Sequence, residues 1–379
     1  MKSNYMRAVL LGLLAVFCAA CSSGGDDDHN PVYKYYAYVS NADSDNVSAY
    51  TIDEATGALT EVPDSPFPVK EGPFEFVVSP SGMFVYVANL YSSNVSAHAI
   101  NSATGALTEI AGSPYPTGTH PHGLITDPGG RYVYVTNTTS NTISVYTINS
   151  ATGALAETID SPFTAGTGPM FIAIDPSGKF AYVTNPRSND VSAYTINSAT
   201  GALTEIADSP FPWGTNPRFV AFDPAGKFVY VTNPSSNNLR AFSVNAATGS
   251  LIEIDESPIA TRDLPLYIAF YPSGKFAYVA HGDVLTPSAS KISAYTVNAT
   301  TGALTEITRS PFAAGSVPIS ITIDPTAKFL YAVNDLSNNI SGYIINTVTG
   351  ALTEIAGSPF PAQLSPACII ALRKTLQEK

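Results

Sequence analysis

From about residue 35 onward, one pattern of apolar and polar positions recurs along the chain. One copy runs from Phe171 to Ile206. Phe171-Ile172-Ala173-Ile174 is a short, wholly apolar run and predicts a buried strand, here strand a. Asp175-Pro176-Ser177-Gly178 follows, and Asp first, Pro second and Gly fourth suit a type I turn. Lys179 to Asn185 predicts strand b, apolar on both faces and so in need of cover on both. Val191 to Ile196 predicts strand c. The turn Asn197-Ser198-Ala199-Thr200-Gly201 comes next, its Gly able to take positive φ. Ala202 to Ile206 predicts strand d, where Leu203 and Glu205 alternate with Thr204 and Ile206 in a half-exposed pattern. Four antiparallel strands, buried at one edge and wetter at the other, describe a propeller blade.

The copies count themselves. Thr-Gly pairs fall at Thr56-Gly57, Thr104-Gly105, Thr152-Gly153, Thr200-Gly201, Thr248-Gly249, Thr301-Gly302 and Thr349-Gly350, a step of 48 residues except once, where it is 53. Tyr38, Tyr86, Tyr134, Tyr182, Tyr230, Tyr278 and Tyr331 keep the same step. A repeat of this length signals a solenoid, a propeller or an array. The first copy begins at strand b, Tyr36 to Asn41, with no strand a before it. The chain supplies the missing piece at its other end, where Pro366 to Leu372 aligns with strand a and then stops. An open array would need polar capping repeats, and neither end offers one. The expectation is therefore an all-β, seven-bladed β-propeller over residues 35–372, with four antiparallel strands per blade. The C-terminal strand completes the N-terminal blade, and residues 373–379 form a frayed tail.

The N-terminus reads as an address. Lys2 and Arg7 precede an apolar run from Ala8 to Phe17, too short to span a bilayer as a mature helix. Cys18-Ala19-Ala20-Cys21 and a polar Ser/Gly/Asp stretch follow. Two small residues before a cysteine, with a flexible tether after it, resemble a bacterial lipoprotein lipobox, although Cys18 stands where Leu is usual. On that reading residues 1–21 are a signal segment with its lipidation site Cys21, and residues 22–34 are a tether. Ser22 after the cysteine resembles outer-membrane sorting, with the membrane as partner through the lipid. The alternative is an ordinary secretory signal cut near Ala20. Cys368 alone then remains, so the mature domain has no intramolecular disulfide and must be held by packing.

Composition narrows the function classes. Hydrophobic residues make up 45% and charged residues 13%, too apolar for a disordered chain. The formal net charge is −12, and no basic patch exists, which excludes nucleic acid as a main partner. No Gly-rich phosphate loop, zinc spacing or nucleophile elbow occurs, so no cofactor or metal is expected. Asp43-Ser44-Asp45-Asn46 lacks the glycine and distant glutamate of an EF-hand loop and reads as a polar turn. His98 stands in a column otherwise filled by Tyr50, Tyr146, Tyr194, Phe242, Tyr295 and Tyr343, which is a packing position.

Tyr-Val-Thr-Asn repeats, with Asp-Pro-Ser-Gly-Lys before and Thr-Gly-Ala-Leu after, resemble the YVTN family of seven-bladed propellers. That family includes bacterial 6-phosphogluconolactonases and fungal muconate-lactonizing enzymes. The resemblance implies a site near the mouth of the ring, where the residue after the proline opening strand a points inward: Phe74, His122, Met170, Arg218, Leu266, Ile319 and Ala367. Of the family's charged positions, the histidine is kept as His122, within His120-Pro121-His122-Gly123. The arginine position holds Met170, the glutamate position Pro186, and the later arginine position Pro234. Arginines would hold an oxyanion and a glutamate or histidine would move the proton; Met and Pro do neither. The sugar-phosphate substrate is also cytosolic, whereas this chain carries an export signal.

The expectation is a cell-envelope lipoprotein displaying its propeller as a binding or scaffolding platform. A small molecule, glycan or envelope protein would bind at the loop face through His120, His122, Trp213 and Arg218. Trp213 either offers a stacking face or caps the loop prolines Pro210 and Pro212 as a surface residue. The alternatives are a lactonase-type hydrolase using His122 and Arg218, and a structural or adhesive surface component. Against catalysis, His122 can be a mere hydrogen-bonded lining residue and Arg218 can be paired with an acid such as Asp263.

Overall fold

The structure is a computed structural model and describes residues 32–282, 286 and 290–376. The signal segment, Cys21 and most of the tether lie outside the described residues. Seven sheets form seven blades, and each is antiparallel. In blade 4 the strands are Ile172–Ile174 (a), Phe180–Asn185 (b), Asp190–Ile196 (c) and Leu203–Glu205 (d). Each sheet carries one strand more than the four expected. After strand d a two-residue segment, such as Phe211–Pro212 in blade 4, returns to pair with the start of strand c. Among the described residues the one helix is a single 3-10 turn at Pro234–Ser236, and no helix is long and apolar enough to cross a membrane.

The repeated motif gives each residue a separate structural task. In Tyr182-Val183-Thr184-Asn185, Tyr182 Oη donates to the Gly249 carbonyl of the next blade, 2.5 Å away. Val183 is fully buried. Thr184 Oγ1 donates to the Arg218 carbonyl in strand a of the next blade, 2.6 Å away. Asn185 Nδ2 ties down strand c of its own blade through Asp190 Oδ1 and Ser192 Oγ. The tyrosine bond recurs from Tyr38 to Gly105, Tyr86 to Gly153, Tyr134 to Gly201, Tyr230 to Gly302 and Tyr278 to Gly350. The two markers that keep the 48-residue step are thus the two halves of one inter-blade clasp. Glycine is required on the accepting side. Gly153 has φ +74°, and a Cβ there would lie 2.4 Å from the Phe84 ring.

The ring closes twice over. Tyr331 Oη of blade 7 donates to the Gly57 carbonyl of blade 1, 2.6 Å away. Blade 1 itself is composite: Tyr33–Asn41 pairs antiparallel with Pro366–Thr375. Both strands outrun the expected limits of residues 35 and 372. Tyr33, Lys34 and Tyr35 pair with Thr375, Lys374 and Arg373. The polar C-terminal residues find partners that keep them in the sheet. Lys374 Nζ donates to the Gly82 carbonyl at 2.7 Å, and the Arg373 guanidinium lies 4.5 Å from the centre of the Tyr33 ring. Between neighbouring blades the apolar side chains of strands a, b and c form seven contiguous cores around the ring.

Candidate functional site

Strand a carries the side chains nearest the ring axis, and its entry is irregular. The residue before each opening proline has positive φ, including His120 (55°), Asn216 (58°) and Leu264 (49°). In five blades the register with strand b then shifts, between Pro73 and Phe76, Pro121 and Leu124, Pro265 and Tyr267, Pro318 and Ser320, and Pro366 and Cys368. Such bulges re-aim side chains. Two layers result instead of one.

The upper layer is the column singled out from sequence. It forms a plug more than a mouth. The Phe74 ring lies 4.1 Å from His122, and His122 meets Phe171 edge-on at 4.8 Å. Phe74 also packs against the core that holds Leu266, Ile319 and Ala367. His122 is 6% exposed, and its Nδ1 has no hydrogen-bond partner. Burial lowers its pKa to about 3; the Arg218 charge adds to this, and a bond to the Met170 backbone opposes it. The imidazole is therefore neutral at any physiological pH and a very weak base.

Arg218 enters from blade 5. Burial depresses its pKa, while the charges of Asp335 and then Glu75 support the cation. Its Nε has no partner. The acid expected for it, Asp263, is instead the acceptor for Asn237 Nδ2 at 3.0 Å. Asp335, directly after strand b of blade 7, accepts from Ser365 Oγ at 2.6 Å.

The lower layer consists of the second residue after each proline: Glu75, Gly123, Phe171, Phe219, Tyr267, Ser320 and Cys368. Sequence reasoning missed it. The signal was present, one acid in a column otherwise aromatic or small, but an uninterrupted strand would have turned it away from the axis. Glu75 is half-buried and lines a cavity on the ring axis, enclosed by strand a of the surrounding blades. That enclosure lifts its pKa to about 7, with Cys368 and Arg218 acting in the opposite direction. The Cys368 thiol donates to Glu75 Oε1 at 3.4 Å. Below this layer lies a cavity of ≈ 340 Å³. Val77, Ile125, Ala173, Ala221 and Ile370 line it further down strand a, towards the a-to-b turns.

The other expected site residues fall elsewhere. His120 is half-buried, with Nδ1 2.6 Å from Thr139 Oγ1 and its ring edge-on to Tyr91. Trp213 is 1% exposed, neither a free stacking face nor a surface cap. It lies parallel to Phe242 at 3.9 Å. The reason lies in that column. Tyr50, Tyr146, Tyr194 and Tyr343 each donate a hydroxyl to a carbonyl in the short return strand of the preceding blade, at Pro361, Pro116, Thr164 and Ala313. Phe242 has no hydroxyl, and Trp213 covers its ring instead. Met170 is half-buried, and Pro234 is buried at the start of the 3-10 turn. Among the described residues no group of three or more His, Cys, Asp or Glu is placed to hold a metal ion.

The sequence signature of the family described as Lactonase, 7-bladed beta-propeller matches residues 33–117, 112–212, 158–265 and 207–370. Among solved structures, candidate 6-phosphogluconolactonases from Bacteroides uniformis and Bacteroides fragilis superpose with TM-scores of 0.78 and 0.75. Their identities are 23% and 22%; the first match covers 89% of this chain and 99% of that one, the second 92% and 100%. The periplasmic gluconolactonase PpgL of Pseudomonas aeruginosa superposes at 0.73 with 17% identity, over 90% of this chain and 99% of its own. No curated protein matches the sequence significantly. At these identities the structural likeness speaks for the fold alone, but the signature spans nearly the whole ring. The chain belongs to the seven-bladed β-propeller lactonase family.

Proposed function

We propose that this member of the lactonase family is an envelope-tethered ligand-binding propeller and not an efficient lactone-opening enzyme. One observation carries the reading: His122, the single kept residue of the family's charged set, is sealed between Phe74 and Phe171 with its pKa lowered to about 3. A base needs a pKa near the working pH and a path to its proton, and this group has neither. Arg218 is the one cation in the column of residues after the opening prolines, and it faces Asp335 and Glu75. The charged partners it would need are replaced by Met170, Pro186 and Pro234.

A second reading, hydrolysis of simple aldonolactones, is favoured by family membership and by the likeness to a periplasmic gluconolactonase. The deciding assay is turnover of gluconolactone and 6-phosphogluconolactone, beside His122→Ala and Arg218→Ala. Slow hydrolysis unchanged by either substitution is expected. Turnover of tens per second that collapses in either variant would overturn the binding reading. The tether is tested separately: Cys21→Ser should move the protein from the membrane to the soluble fraction without changing its melting behaviour.

A further inference from the structure

The axial cavity has its own chemistry. At ≈ 340 Å³ it sits near the lower end of small-molecule pockets, roughly 300–1,000 Å³, and suits a fragment-sized ligand. Its walls come from strand a of several blades, so the shape is set before any ligand arrives. Three aromatic rings gather at its closed end. Phe219 stacks on Tyr267 at 3.8 Å, and Phe171 meets Phe219 edge-on at 5.0 Å.

Charge is confined to one lining residue. Among the described residues that line the cavity, only Glu75 and the Tyr267 phenol can ionise. Burial raises the Tyr267 pKa well above its usual value, which keeps the phenol neutral. Arg218 is not among the lining residues, and it is shared between Asp335 and Glu75. Among the described residues, the one hydrogen bond Glu75 receives is from the Cys368 thiol at 3.4 Å, which leaves most of its acceptor capacity open. A carboxylate with open lone pairs beside aromatic faces attracts a cation from both sides. An anion would meet repulsion from both.

We propose that the axial cavity binds a small organic ammonium ion with an aromatic body, an arylalkylamine. The ammonium hydrogen-bonds to Glu75, and the ring sits against Phe171, Phe219 and Tyr267. This deepens the ligand-binding reading above and rests on it. No covalent step is involved.

The test is calorimetric titration of the full chain with phenethylamine, with 2-phenylethanol as the neutral isostere and phenylacetate as the anion. The amine should bind at least about tenfold more tightly than the alcohol, and the acid should not bind measurably. Glu75→Gln should remove that preference. Ala221→Trp fills the cavity from blade 5 without touching Glu75 and should abolish binding. Amine affinity should also rise about tenfold from pH 6 to pH 8 as Glu75 ionises. The groups facing Glu75 keep one state over that range: Arg218 as a cation, Cys368 as a thiol with its pKa raised well above normal, and Tyr267 as a neutral phenol. His122 stays neutral, and Asp335 adds to Glu75 in supporting the Arg218 cation.

Equal binding of amine and alcohol, or an amine affinity unchanged in Glu75→Gln or in Ala221→Trp, would overturn the proposal. Because Gln is close in shape to the protonated acid, that variant keeps the test decisive even if Ala221→Trp fails to fold. The outcomes separate cleanly from the lactone assay. Fast lactone turnover with amine binding intact would sink the platform reading alone. An inert protein that ignores the amine would sink the cavity assignment alone.

Discussion

Ring closure can be weighed by removing one oxygen atom. Tyr331→Phe deletes the hydroxyl that donates to the Gly57 carbonyl at 2.6 Å and leaves the ring volume almost unchanged. Tyr331 is fully buried, so no water replaces the lost donor. The lost bond, together with a carbonyl left unsatisfied, should cost about 1–3 kcal/mol. For roughly 340 ordered residues the unfolding entropy is about 0.7 kcal/mol per degree, so the melting point should fall by about 1–4 °C. Tyr182→Phe removes the equivalent bond to Gly249 inside the chain of blades and serves as the internal standard. In a closed ring the two variants cost the same, because the junction between the last blade and the first is like any other. In an open array Tyr331 would sit on a terminal blade and its change would fall within about 0.5 kcal/mol of zero. Trp213, the single tryptophan, is buried where blades 4 and 5 meet, far round the ring from the closing junction. Its fluorescence through a urea titration therefore also reports whether damage at the closure destabilises the whole ring. A Tyr331→Phe midpoint indistinguishable from the parent, beside a clear loss in Tyr182→Phe, would refute the closed-ring argument.

Other positions give sharp expectations. Gly153→Ala combines a positive φ with a Cβ placed 2.4 Å from Phe84, and should cost at least about 2 kcal/mol in a denaturant melt. Trp213→Ala should cost about 3–5 kcal/mol by the same assay, since it empties a fully packed inter-blade site. Glu75→Gln should act through pH. The folded carboxyl binds its proton up to about pH 7 and the unfolded one only to about 4.5, so the parent loses stability as pH rises between those values. The variant escapes that loss, and its melting-point advantage should therefore be larger at pH 8 than at pH 5. His122 works in the other direction: its folded pKa is depressed to about 3, so its contribution is lost as pH falls below 6.5.

The blades were legible because their repeated letters are also their contacts. Tyr, Thr and Asn of the repeated motif each meet a defined partner, and one tyrosine clasps one glycine at every junction. The composite first blade was legible for the same reason, since a strand missing at one end was present at the other. What escaped was set by geometry that the letters do not carry. The bulge after the opening proline put Glu75 on the axis, where simple alternation places only its neighbours. The short return strand, Phe67–Pro68 in blade 1, is two residues long and half proline, which carries no strand signature. Arg373 and Lys374 look like a solvated tail until the Tyr33 ring and the Gly82 carbonyl are brought beside them. Trp213 lost its expected surface place because Phe242 lacks one hydroxyl.

Pairing Tyr33 with Thr375 also sets the side of the ring on which the first strand begins. Strand b of blade 1 starts at Tyr33 on the side of the a-to-b turns, the side towards which the axial cavity runs. With Cys21 as the anchor, eleven residues, 22–32, join lipid to ring, and fully extended they span at most about 40 Å. On the proposed anchoring at Cys21, the cavity's mouth would lie on the tethered side of the ring, opposite His120 and Tyr91, and within that reach of a bilayer. A molecule bound for the cavity would approach through the layer of water next to the lipid headgroups. Amphiphiles concentrate there, and an amine with an aromatic body is one of them.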